Sequence, residues 1–243
     1  MNVLLAIVAY PIAISLIVLA LPVQALLLAL TAPFDRNRTV PGRFLRFVGV
    51  AISLTFPPWR LRVEGRWPAG EGPFIVVANH QSILDILLLS RLPREMKWIA
   101  KEELFDVPWV GWMLRMSGDI PIRRGDAESG GEALARAKVY LARGMSVMVF
   151  PEGTRSRTGT LLPFKSGAFR LAAETGVPVL PIAVHGTARG MPKGGPWVNA
   201  CHATARLLEV VDPRTFGGEG GNRLRDEVRR RIQAAVDELA RAG

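Results

Sequence analysis

Phe74-Ile75-Val76-Val77-Ala78-Asn79-His80-Gln81-Ser82-Ile83-Leu84-Asp85 is an apolar β-rich run that breaks into a short polar cluster and then into a second apolar segment. Phe74 to Ala78 reads as a strand, and Ile83 to Leu92 as the helix that follows it. The same alternation recurs on both sides. Further candidate strands are Arg60 to Val63, Lys97 to Ala100, Ile120 to Arg123, Ser146 to Phe150, Val179 to Val184 and Ala203 to Val210. Further candidate helices are Pro108 to Met116, Gly131 to Arg143, Lys165 to Glu174 and Asn222 to Arg241, with Gly144 and Gly176 in place to end two of them. Strands alternating with helices define an α/β fold, and the closely spaced strands at its start point to a mixed β-sheet flanked by helices. No internal repeat is visible. Gly217 to Gly221 reads as a flexible connector to the last helix, whose alternating Arg and Glu read as a solvated face.

Upstream of Pro57-Pro58 the composition changes. Residues 1–34 carry no charged side chain, and Val3 to Leu30 is almost wholly apolar. A cleaved secretory leader would begin with a basic region and carry a shorter apolar stretch, so the segment reads as a retained membrane helix. At 1.5 Å per residue it would reach about 42 Å, against a hydrocarbon core of about 30 Å, so it must tilt, kink or lie partly in the interface. Pro11 and Pro22 are natural kink points. Arg36, Arg38, Arg43 and Arg46 follow at once, which places the remainder of the chain on the cytoplasmic face of the cell membrane. Phe44 to Phe56 is too short to span and is expected at the interface or folded back beside the first helix. The division is then a membrane-associated helical segment, 1–57, and one folded domain, 58–243, in a chain long enough for a single sizeable core. A formal charge of +10 attracts anions without choosing among headgroups, nucleic acid and acidic proteins. The lone Cys201 excludes an internal disulfide framework.

Two polar clusters follow apolar strands. In the first, His80 and Asp85 are five residues apart and cannot share one helix face; they meet only if His80 precedes the helix and Asp85 folds back from its first turn. Asp85 would then accept one imidazole N–H and leave the other nitrogen free to take a proton from a hydroxyl. Ser82 to Asp85 is also a capping box, which uses Asp85 only to start the helix, and both roles can coexist. In the second cluster, Phe150 to Ser156, the backbone around Gly153 and Thr154 together with Arg155 suits an anionic group, although the Walker spacing of a nucleotide loop is missing. Lys101 and the pair Arg123, Arg124 also follow strands and could complete a phosphate cradle; taken singly, each reads as a solvated charge. His80, His185 and His202 are scattered without a ligand spacing, so no metal is expected. No G-x-S-x-G elbow is present, and Cys201-His202 reads as packing.

Taken together, the clusters resemble the glycerolipid acyltransferase family. Its four blocks occur in order: N-H-x-x-x-x-D at Asn79 to Asp85, G-x-I-x-I-x-R at Gly118 to Arg124, F-P-E-G-T-R-S at Phe150 to Ser156, and V-P-V-x-P-I at Val177 to Ile182. The resemblance implies that His80 is a general base assisted by Asp85, and that Glu152, Gly153, Thr154, Arg155, Arg124 and, more weakly, Lys101 bind or position a phosphate-bearing acceptor. It implies acyl transfer from acyl-CoA or acyl-carrier protein to the sn-2 hydroxyl of 1-acyl-glycerol-3-phosphate at a phospholipid membrane, giving phosphatidic acid. The donor is a substrate, and no cofactor and no nucleic acid are involved. Other acceptors open to the same blocks are a lyso-ornithine lipid, another lysophospholipid or glycerol 3-phosphate. Relatives often carry an acidic residue where this chain has Arg123, which loosens the headgroup assignment. A non-catalytic protein docking on anionic membranes would account for the charge and the apolar N-terminus but not for four ordered blocks.

Overall fold

The structure is a computed structural model that describes residues 3–70, 72–156, 160–217 and 220–242; part of the expected connector after Gly217 lies outside the described residues. In chain order the elements are α1 (Val3–Thr31), α2 (Thr39–Leu54), β1 (Trp59–Glu64), β2 (Ile75–Ala78), α3 (Leu84–Leu89), β3 (Met96–Lys101), α4 (Val110–Ser117) and β4 (Ile120–Ile122). They continue with α5 (Ala127–Ala142), β5 (Ser146–Val149), α6 (Gly167–Thr175), β6 (Val179–His185), α7 (Thr187–Gly190), β7 (Cys201–Leu207) and α8 (Gly220–Ala242). Short 3₁₀ turns at Glu102–Leu104 and Pro213–Phe216 complete the list.

The seven strands form one mixed sheet in the order β1-β7-β6-β2-β5-β3-β4. The strands from β6 to β4 in that order run parallel, β7 is antiparallel to β6, and β1 is parallel to β7. The mixed character therefore arises at the β6/β7 junction. It does not come from the close spacing of β1 and β2, which lie three places apart.

All four residues of β2 are fully buried, as a central strand covered on both faces requires. The pleat sends Ile75 and Val77 toward Ala137, Phe169 and Ile232 of α5, α6 and α8, and sends Val76 and Ala78 toward Leu84 and Leu88 of α3. In α8 the four-residue spacing of Leu224, Val228 and Ile232 makes a buried stripe beneath the charged outer face. α5 begins four residues earlier than the expected Gly131. The Asp126 carboxylate accepts the Glu128 and Ser129 N–H groups, so the helix starts at this cap despite the two glycines that follow.

α1 is a single helix through Pro11 and Pro22, and by length and composition its Leu5–Thr31 portion can cross a membrane. Many of its apolar side chains are exposed. α2 folds back against it, and both pack on α4. Gln24 is buried at this junction and donates to the carbonyls of Pro41 and Met113. A buried ionic cluster fastens α2 to the sheet. The Lys97 ammonium bonds Glu95 and the carbonyls of Arg38 and Ser117, while Arg46 pairs with Asp119, whose Oδ1 also accepts the Trp98 N–H. Arg46, one of the four arginines that follow the apolar segment, is thus committed inside the protein. Gly42 makes room for the cluster, since a Cβ there would lie 2.1 Å from Glu95 Oε1.

Candidate active site

The backbone ladder between β2 and β6 ends at Ala78 and Ile182, and Asn79 prolongs it with its side chain, exchanging two hydrogen bonds with Val184 at 2.7 and 2.9 Å. This turns the next residue, His80, across the end of the sheet, and α3 begins at Leu84. Asp85, in the first turn, folds back: its Oδ2 lies 2.7 Å from His80 Nδ1 and accepts the backbone N–H groups of Gln81 and Ser82 at 2.7 and 2.9 Å. One carboxylate oxygen thus serves both the imidazole and the start of the helix. Oδ1 is buried without a partner. Nδ1 being committed to Asp85, Nε2 is the nitrogen of His80 able to take a proton.

The loop after β5 encloses the histidine from the other side. The Phe150 ring stacks on the imidazole, with centroids 4.1 Å apart, and meets Trp98 edge-on. Glu152 accepts the His80 N–H at 2.7 Å and the Leu162 N–H at 2.9 Å, and Ser156 donates its N–H to the His80 carbonyl. Burial, opposed by these two hydrogen bonds and assisted by the Asp85 charge, pushes the Glu152 carboxyl up to about 7. Both of its oxygens face protein backbone, so its place in the site is to hold His80.

Gly153 has φ 68°, and a Cβ there would lie 2.8 Å from the Lys165 side chain. Thr154 and Arg155 follow, half-buried. Arg124 is exposed as a residue, yet desolvation of its guanidinium depresses its pKa, and the nearby Arg155 adds to that depression while Glu103 opposes it. Two cations close enough to disfavour each other's charge make a positive region that an anion would relieve. Lys101 is paired with Glu103 at 2.7 Å on the exposed rim. Arg123 is turned to Glu102 and Asp126 and adds nothing to the cradle.

Lys193, which the sequence reading passed over, reaches the same loop: its ammonium donates to Thr154 Oγ1 at 3.1 Å and to the Arg155 carbonyl at 2.7 Å. It sits on a loop pinched by the Asn199 N–H to Gly190 carbonyl bond and tied to the His80 segment by the Ser82 hydroxyl, which donates to the Met191 carbonyl. No recognised motif surrounds it, and its only sequence signal is a lysine between Pro192 and two glycines. Cys201 is buried, and burial pushes its thiol up to about 11. His185 has its pKa lowered by burial and by Arg189.

The chain that carries this site, at the carboxyl end of the central strand β2, is similar in sequence and fold to known proteins. The acyltransferase family model matches residues 60–185, and the chain belongs to that family. It is 37% identical over 206 residues to a chloroplastic 1-acyl-sn-glycerol-3-phosphate acyltransferase of Brassica napus, covering 84% of this chain and 58% of the relative. It thus spans little more than half the length of that plant protein. With the human 1-acyl-sn-glycerol-3-phosphate acyltransferase alpha it shares 33% identity over 237 residues, 94% of this chain and 78% of the relative. The crystal structure of the 1-acyl-sn-glycerophosphate (LPA) acyltransferase PlsC from Thermotoga maritima superimposes with a TM-score of 0.80 at 33% identity, covering 98% of this chain and 96% of that one.

Proposed function

We propose that this protein is a 1-acylglycerol-3-phosphate O-acyltransferase, moving a fatty acyl group from acyl-CoA or acyl-carrier protein to the sn-2 hydroxyl of 1-acyl-glycerol-3-phosphate. The observation that carries the reading is the His80–Asp85 contact at 2.7 Å, built into the same shell as the Gly153–Arg155 loop through the Glu152 and Ser156 bonds to the His80 backbone. The names of the relatives agree with it.

In this mechanism Asp85 holds the Nδ1–H tautomer, Nε2 takes the acceptor's hydroxyl proton, and the oxygen attacks the thioester carbonyl. The tetrahedral intermediate collapses with cleavage of the C–S bond, and His80 returns its proton to the thiolate. Products are phosphatidic acid and free thiol. Asp85 stabilises the imidazolium formed on the way. Arg124, Arg155, Thr154 and Lys101 bind the acceptor phosphate, Glu152 and Gly153 shape the loop, and Lys193 fixes it. Direct attack needs no acyl-enzyme, which agrees with the raised thiol pKa of Cys201 and with the Ser82 hydroxyl being engaged by the Met191 carbonyl. It needs no metal or cofactor. A phosphate monoester, carrying nearly two negative charges and no cation, suits the neighbouring Arg124 and Arg155 better than the zwitterionic headgroup of a lyso-ornithine lipid, whose ammonium would be repelled. Residues 1–57 are assigned to the membrane segment and 58–243 to the catalytic domain on its cytoplasmic side.

The test is transfer of labelled acyl chains from each donor to lysophosphatidate in detergent, for wild type and His80→Ala. Loss of transfer in a folded variant is expected; full activity of the variant would refute the base assignment. Wild type that acylates only a lyso-ornithine lipid would refute the acceptor.

A further inference from the structure

Arg36, Arg38, Arg115, Arg136 and Arg143, drawn from three separate parts of the chain, line one cleft of about 630 Å³ at the β4 edge of the sheet. None of the residues assigned above to acyl transfer lines it. Its carboxylates are already satisfied: Glu102 by Arg123, Asp106 by Arg115 and Asp119 by Arg46. Among the described residues, Arg36, Arg38, Arg136 and Arg143 have no carboxylate partner, so four guanidiniums share the cleft uncompensated.

The walls are fixed. Asn37 donates to the Arg143 carbonyl at the end of α5, and Arg38 donates to the Arg115 carbonyl on α4. Arg38 itself has φ 51°, an unusual conformation for a side-chain-bearing residue. Asp35 holds the turn by accepting the Thr39 and Val40 N–H groups. Neutralising the end of α5 would account for Arg143 at most, since the helix-end effect fades within a turn.

The height of the cleft identifies its occupant. Arg36 and Arg38 stand in the short turn that follows α1, just beyond Leu30 at the end of the helix and Phe34 in the turn, which are 62% and 74% exposed. Trp109 and Trp112, also exposed, flank α4 on the approach to Arg115. Exposed tryptophans and arginines at the end of an apolar helix mark the headgroup level of a bilayer. Arginine forks match phosphate oxygens bidentately.

We propose that this cleft is a second anion site, occupied by the phosphate headgroup of an anionic phospholipid from the bilayer that holds α1. The proposal rests on α1 being a membrane helix and is independent of the transferase reading.

The test uses the full chain in neutral detergent, titrated with short-chain phosphatidylglycerol, short-chain phosphatidylcholine, inorganic phosphate or acyl-carrier protein, with thermal unfolding as the readout. Wild type and the double variant Arg36→Gln/Arg136→Gln are compared. Saturable stabilisation by phosphatidylglycerol alone is expected, with an apparent Kd about a hundredfold weaker in the double variant, because each of the two lost charge-assisted bonds is worth about tenfold. Arg36→Lys/Arg136→Lys should keep part of the affinity, and acyl transfer to lysophosphatidate in neutral detergent without added phosphatidylglycerol should be unchanged in the Gln variant. Equal stabilisation of wild type and variant, or none by phosphatidylglycerol, would overturn the proposal. So would a full effect from inorganic phosphate alone, or saturation by the carrier protein instead of lipid.

Discussion

Asp85→Asn separates the two duties of this carboxylate. With the amide oxygen in the Oδ2 position, the Asn side chain can still accept from His80, Gln81 and Ser82, so the tautomer and the helix start survive. The amide nitrogen then falls in the Oδ1 position, which is buried and makes no hydrogen bond in the native protein. That costs about 1–3 kcal/mol, partly offset because a charge no longer has to be buried. The effect on catalysis is larger. As His80 takes the proton it becomes an imidazolium beside a fully buried carboxylate. Unit charges about 4 Å apart attract by about 4 kcal/mol at an effective dielectric near 20. Losing that attraction slows the step by about a thousandfold. Initial-rate kinetics in detergent should therefore show kcat down by about that factor, KM for the acceptor nearly unchanged, and unfolding shifted by a few degrees at most. Ser82→Ala is the counterpart: it removes the bonds to the Leu84 N–H and the Met191 carbonyl, and should cost about 1 kcal/mol of stability with kcat within a few-fold of wild type. Asp85→Asn with kcat within tenfold of wild type, in folded protein, would reduce Asp85 to a helix cap.

Lys193→Met should raise KM for lysophosphatidate by about tenfold while kcat falls much less, because the lost bonds position the loop that binds the acceptor; an unchanged KM would detach Lys193 from the site. Lys97→Met leaves the buried Glu95 with only its longer contact to Arg46, at 3.8 Å, and should cost about 3 kcal/mol in denaturant unfolding, with Glu95→Gln added in the same chain recovering most of it. Burial already raises the Glu95 pKa, so the single variant should lose more stability as pH rises, and a loss independent of pH would contradict this. Glu152 gives a pH signature of the same sign: its carboxyl titrates near 4.5 unfolded and at about 7 folded, so the folded state holds its proton longer. Stability should be full below about pH 4.5 and fall, by on the order of 3 kcal/mol, as pH rises to about 7. Glu152→Gln should remove that slope, and a slope unaltered in the variant would assign it elsewhere.

Most of the fold was legible because its elements declare themselves locally. The seven strands were visible as apolar runs, and Gly144 and Gly176, both at positive φ, ended helices where glycine alone is comfortable. Errors came where local signals competed. Gly130 and Gly131 hid the first turn of α5, although Asp126 two residues before Glu128 is the cap that starts it. The four-residue α7 is too short to show a period. Strand order was out of reach, since β1 pairs with the last strand, β7, with Trp59 opposite Cys201 far along the chain.

The candidate site divides along the same line. His80 and Asp85 are joined across a single turn, so their spacing allowed one way of meeting, with His80 ahead of the helix and Asp85 folding back, and the structure adopts it. Arg46 and Asp119 are 73 residues apart, Lys193 and Thr154 39, and Asn79 and Val184 105; no period or motif relates such pairs. In the sequence Arg46 is one of a row of like charges, and Lys97 is one polar residue in an apolar run. Their burial follows only once α2, β3 and the turn before β4 are brought together, because a buried charge is tolerable only beside its counter-charge. The sequence does record a constraint at the one point where this cluster is crowded, in Gly42, where any side chain would displace Glu95 and Lys97. A glycine in a helix interior costs about 1 kcal/mol relative to alanine. Here that cost is outweighed by the ionic contacts it admits, and those contacts are what fix α2 against the strands that end beside His80.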